Sequence, residues 1–238
     1  MEIIDAGPPS AARIAERYER LLVRLRAAAG AGGHDPARLR IVAITKTWPI
    51  EVARAALDAG LTLLGESRVQ EAEPKVAALP EAEWHLVGRL QSNKVRRAVR
   101  AFAAIHSVDS VELLRRVDAV AAEEGLGPRL LLQVNEAGSP TTAGLSPEAA
   151  AARELTDALR DVRAARVVGL MTIARMGAGT AEARKTFAAL RALRDRLEAD
   201  AEVALPELSM GMSADAEAAA AEGATLVRIG TALFGPRA

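Results

Sequence analysis

The chain has 238 residues, half of them hydrophobic and only 3% aromatic, so its core must be built from Ala, Val, Leu and Ile. Basic and acidic residues balance at 31 each with an isoelectric point near 6.9, which gives no electrostatic reason to expect nucleic acid or an anionic membrane as partner. Zero cysteines exclude disulfides, thiol catalysis and cysteine-based metal sites. No apolar run approaches membrane-spanning length and MEIIDAGPPS lacks the regions of a signal peptide, so a soluble cytoplasmic protein is expected.

Residues 1–9 read as a loose leader, and Ser10 can cap a helix running to about residue 29 or 30. From residue 40 strands and helices alternate without a break. The first strand ends at Lys46, and Pro49 and Gly60 bracket a helix. A second strand covers 61–65, and Ser67 with Gln70 forms a capping-box pattern for a helix that Pro74 kinks or divides. A third strand over 84–88 precedes a basic helix over about 92–102. A fourth strand covers 103–108, and Asp109 with Glu112 patterns a further capping box. The fifth strand is 129–135; a Gly/Ser/Pro/Thr loop and a helix opened by Ser146-Pro147-Glu148 follow. Strand six is 167–172, and a long helix fills about 181–199. Strand seven is 206–210, a mostly alanine helix spans 213–222, and strand eight is 225–230. Eight alternations with no change of composition favour one parallel (β/α)8 TIM-type barrel, with an extra N-terminal helix, as a single domain over 1–238.

Lys46 stands out by composition. Lysine and arginine together number 31, of which only four are lysine and so 27 are arginine. Where a positive charge alone is wanted, this chain uses Arg, which cannot form an imine; a desolvated lysine can attack a carbonyl. A solvated strand cap is the plain alternative. Barrels carry their reactive groups at the C-terminal ends of the strands and often bind phosphate after strands 7 and 8. There the chain has Gly211-Met212-Ser213, a flexible turn bringing Ser213 to a helix N-terminus, and Gly230-Thr231, a glycine and a hydroxyl opening a short helix. Together they point to a small phosphorylated ligand. Arg228, costly in an apolar strand unless paired, is expected to face a ligand or an acid. An arginine at a pyridine nitrogen with a lysine imine is a usual protein contribution to a pyridoxal-phosphate site. Closure of strand 8 onto strand 1 would unite these groups. His85 and His106 read as core or rim histidines, His34 as a loop residue, and Lys94, Arg96, Arg97 and Arg100 as a solvated helix face. No metal-ligand spacing is present.

The segments IVAITKT (41–47), GESRVQE (65–71), WHLVGRLQSNK (84–94), GLMT (169–172), LSMGMSAD (208–215) and RIGTALFG (228–235) resemble the pyridoxal-phosphate homeostasis protein family, in order and over nearly the whole chain. The resemblance implies a barrel like the N-terminal domain of alanine racemase, with pyridoxal 5′-phosphate (PLP) held as an imine on Lys46. It further implies phosphate held by Ser213, Gly230 and Thr231, Met212 among the cofactor-binding residues, and Arg228 facing the pyridine nitrogen. Two positions depart from the family: Ser67 replaces an asparagine, and Thr142 stands where a lysine is common before Gly144. The function implied is a non-catalytic carrier that buffers or delivers PLP, working as a monomer, with apo-forms of PLP enzymes as recipients. The alternative is a PLP-dependent amino-acid racemase. That chemistry needs a second base opposite the lysine, which related alanine racemases take from a tyrosine in an added domain; the one tyrosine here, Tyr18, lies in the N-terminal helix. A guanidinium also keeps its proton, leaving the ring a poorer electron sink.

Overall fold

A computed structural model describes residues 9–236; of the expected leader only Pro9 falls within them, and it is buried. The strands are β1 (Arg40–Ile44), β2 (Leu63–Glu66), β3 (Glu83–Leu86), β4 (Ala104–Val108), β5 (Arg129–Gln133), β6 (Arg166–Met171), β7 (Glu207–Met212) and β8 (Leu226–Ile229). All pair in parallel and in sequence order, and β8 closes onto β1 with Val42 opposite Arg228. The fold is therefore the (β/α)8 TIM-type barrel that the alternation predicts.

Outside it run α1 (Ala11–Ala31), α2 (Ile50–Asp58), α3 (Val69–Ala78), α4 (Val95–Ala101), α5 (Val111–Glu124), α6 (Pro147–Ala150), α7 (Arg153–Asp161), α8 (Thr180–Ala201), α9 (Ala216–Ala221) and α10 (Thr231–Phe234). Ser10 caps α1 as expected, its hydroxyl accepting from Arg13 N. Among the described residues no helix is long and apolar enough to cross a membrane.

Several local expectations fail for tertiary reasons. Ser67 caps nothing; α3 starts at Val69 after Arg68. The Ser67 backbone is instead pressed against Gly88, where a Cβ would lie 2.1 Å from Ser67 O, so that segment is fixed by strand packing. Pro74 does not divide α3, because buried Ala72 and Lys75 anchor the helix on either side of it. Ser110, not Asp109, caps α5, accepting from Leu113 N. Strand β7 runs on through Gly211 and Met212, and α9 begins only at Ala216, leaving Ser213 in the turn before it.

The core has two unequal parts. A large apolar layer lies between strands and helices, with Phe187, Leu114, Leu130 and Ile105 among its fully buried members. Inside the barrel the apolar cluster is small: Val42, Ile44, Leu131, Met171 and Leu226. Polar side chains share the interior. His85, His106, Ser209, Thr172 and Arg228 are all buried, and buried polar groups must find partners there.

Candidate functional site

Lys46 lies two residues beyond the end of β1, half-buried at the C-terminal mouth of the barrel. The residue before it is anchored from below. The Thr45 hydroxyl donates to Glu66 Oε1 at 2.7 Å, and the Lys75 ammonium donates to Thr45 O at 2.9 Å and to Glu66 Oε1 at 2.6 Å. Glu66 is fully buried and its Oε2 has no partner. On the other side Thr47 holds a left-handed φ of 64°, a strained setting for a β-branched residue. Lys46 thus projects from a short stretch of backbone held by a buried ion pair and a strained turn. It lines a cavity of ≈ 810 Å³ with Ser67, Arg89, Asp109, Gln133 and the loop 140–144. Both positions that depart from the family, Ser67 and Thr142, line this cavity.

The loops after β7 and β8 come together as expected. Ala232 N donates to the Ser213 hydroxyl at 3.4 Å, joining the β7 turn to the first turn of α10. Ser213 and Thr231 are exposed, and Gly230 sits 3.5 Å from Ile44 O of β1, measured from where its Cβ would be. Gly211 is not a flexible hinge. Its φ is +88° and a Cβ there would lie 2.5 Å from Ala219 Cβ, so only glycine fits. The Met212 amide donates to Asp215 Oδ1 at 2.6 Å, so that N–H is used within the turn. Ser213 faces a separate hollow of ≈ 250 Å³ shared with Thr180, Asp215 and Ala232, while Lys46 faces the larger cavity.

Arg228 is 5% exposed. No acid lies at hydrogen-bond distance from it among the described residues. Its Nη1 donates to Ser209 O at 2.8 Å and to Ser209 Oγ at 2.7 Å, and Nη2 donates to Thr172 O at 2.8 Å. Burial lowers its pKa to about 10, with Asp215 opposing, so the guanidinium still carries its proton at neutral pH. Ser209 is bonded onward to His106, and His106 to His85. The two histidines are buried as the plain reading of them held, and burial pushes both below the ordinary imidazole value.

The basic face of α4 is paired. Arg96 and Arg100 meet Glu124, Arg96 also meets Glu123, and Arg97 meets Glu73. Sequence reasoning passed over Glu66 and Lys75. A signal for Lys75 was available, since it is one of only four lysines and the argument that singled out Lys46 applies equally to it. No local signal marks Glu66, whose burial follows from barrel closure.

Residues 33–238 match the alanine racemase N-terminal domain family. A pyridoxal phosphate homeostasis protein of Aquifex aeolicus is 40% identical over 93% of this chain and 97% of its own length. One of Pseudomonas aeruginosa is 42% identical over 94% and 96% respectively. Among solved structures, PipY of Synechococcus elongatus, determined with PLP bound, is 42% identical and superimposes with a TM-score of 0.82 over 93% of this chain and all of that one. An alanine racemase of Clostridium difficile superimposes at 0.70 with 15% identity over 84% of this chain and 53% of its own, a likeness of fold.

Proposed function

This chain belongs to the family of pyridoxal phosphate homeostasis proteins, and we propose that it binds PLP through Lys46 and serves to buffer or deliver that cofactor in the cytoplasm. The observation that carries the proposal is Lys46 itself, a rare lysine held at the mouth of the barrel on an open cavity.

The donor set suits the cofactor. Lys46 brings a primary amine for an aldehyde. The turn of Met212 and Ser213 and the Gly230-Thr231 step bring hydroxyls and a close backbone approach for a phosphate. Arg228 brings a donor that keeps its proton, for a ring nitrogen. Bound PLP would supply an aldehyde that an amine can take up and give back. The chain's own part is to present one amine, exclude a second base and leave the mouth open. Tyr18 supports this division: it lies in α1, packed against the outer core. With no base assigned across the ring, we favour a non-catalytic carrier, with apo-enzymes as recipients.

The test is spectroscopic. The protein is expected to turn yellow with PLP, to be fixed by borohydride at Lys46, and to lose both properties in Lys46→Ala. A colourless protein that takes up no PLP would remove the proposal. Exchange of the alanine Cα proton in deuterated water at the turnover of a dedicated racemase would replace the carrier with an enzyme.

A further inference from the structure

The buried polar groups inside the barrel form one unbroken line. Arg228 Nη1 lies 2.7 Å from Ser209 Oγ, which lies 2.8 Å from His106 Nδ1. His106 Nε2 lies 2.9 Å from His85 Nδ1, and His85 Nε2 lies 2.8 Å from Glu83 Oε1. The line crosses from β8 and β7 to β4 and β3, ending at the first residue of β3 on the face opposite Lys46. There Glu83 also pairs with Arg129.

The chemistry of the two ends sets the direction of every bond between them. A carboxylate only accepts and a guanidinium only donates. Glu83 therefore requires the hydrogen of His85 on Nε2. A neutral His85 then offers Nδ1 as acceptor, which requires the hydrogen of His106 on Nε2. His106 Nδ1 is left as acceptor for the Ser209 hydroxyl, whose oxygen accepts from Arg228. In the reverse arrangement a bare His85 Nε2 would face the Glu83 carboxylate, two acceptors at 2.8 Å, with only a long 3.5 Å contact from the Arg129 guanidinium to satisfy it. Burial opposes an extra proton on either ring, and the cations Arg129 and Arg40 oppose it as well, with Arg228 adding to them at His106, while the Glu83 carboxylate alone favours it at His85.

We propose that Glu83, His85, His106 and Ser209 are positioning residues for the cofactor: a one-way hydrogen-bond line that locks the Arg228 guanidinium in its orientation at the ring nitrogen. The proposal rests on the PLP reading of the site for its role, but the order of the line is a property of the unliganded protein. Ser209 and the Thr172 carbonyl take three of the guanidinium's bonds from one side, so its remaining N–H groups can only be aimed elsewhere. A rotation of the Ser209 side chain would break the line and remove one of the three bonds on Arg228, leaving the two to the Ser209 and Thr172 carbonyls.

The experiment has two readouts. In unliganded protein with 15N-labelled histidine, long-range 1H–15N spectra near pH 8 are expected to show His85 and His106 both with hydrogen on Nε2 and a bare Nδ1. In Glu83→Leu, which removes the acceptor that orders the line, both rings lose the single tautomer, although His106 does not touch Glu83; in Ser209→Ala, which leaves Glu83 in place, both keep it. A ring with hydrogen on Nδ1 in the unaltered protein, or a His106 indifferent to Glu83→Leu, overturns the line. In loaded protein, Glu83→Leu is expected to shift the absorbance band of bound PLP and weaken binding about tenfold by leaving a buried donor unmet, while exposed Glu81→Gln does neither. If Glu83→Leu does not fold, the tautomers of the unaltered protein still decide the line, and Ser209→Ala against Ser209→Thr decides the positioning role by band position and affinity. An ordered line with an unshifted band and unchanged affinity overturns the positioning role alone. No PLP uptake by the unaltered protein overturns the carrier reading and that role with it.

Discussion

Two lysines lie within reach of the end of β1, and they stand in opposite surroundings. Lys75 comes up from α3 into a closed pocket, 8% exposed, bonded to Thr45 O and to a fully buried Glu66. Lys46, one residue past Thr45, lines an open cavity at the mouth. The first is a structural cation, paired with that carboxylate. The second is a presented amine. Same side chain, different neighbours: the region beneath the rim is arranged for pairing, and the rim is arranged for access.

The largest expected effect separates these two roles. Lys75→Met leaves the Glu66 carboxylate buried without its cation, a loss of about 3–5 kcal/mol in urea unfolding. Lys46→Ala should cost less than about 1 kcal/mol while abolishing covalent PLP uptake. Equal losses would mean that the two lysines share one environment after all.

A middle effect tests where rim and interior meet. Gly211→Ala forces a side chain into a left-handed backbone and toward Ala219 Cβ, and should cost about 1–3 kcal/mol with weaker PLP binding. An unchanged melting temperature would contradict the fit described for β7. The smallest effect is in the acid range. The hydrogen bond from His85, then Arg129, holds the Glu83 carboxyl at about 2 against its ordinary 4.5, with burial opposing. Because its folded value is depressed, Glu83 stabilises the fold above 4.5, and that contribution is lost as pH falls toward about 2. Unfolding followed through this window should show a flatter decline in Glu83→Gln; parallel slopes would remove Glu83 from the acid response.

The barrel, its strand count and its closure were legible in the sequence, because strand–helix alternation is written locally and repeats along the chain. Lys46 and the two turns after β7 and β8 were legible as well, being strand-end positions that a barrel always brings to one face. The caps at Ser67 and Asp109 were misread, since a capping pattern says nothing of what presses on the segment from outside. The break at Pro74 failed for a related reason: buried neighbours outweighed a local breaker. His85 and His106 could be seen as buried, but not as joined. His106 bonds partners 21 and 103 residues away along the chain, and only closure of the barrel sets their distance. Composition and periodicity determined which groups exist and on which face they emerge. The tertiary structure alone decided that Lys75 meets buried Glu66 and that Lys46 lines the cavity, because both depend on neighbours that the chain order does not record.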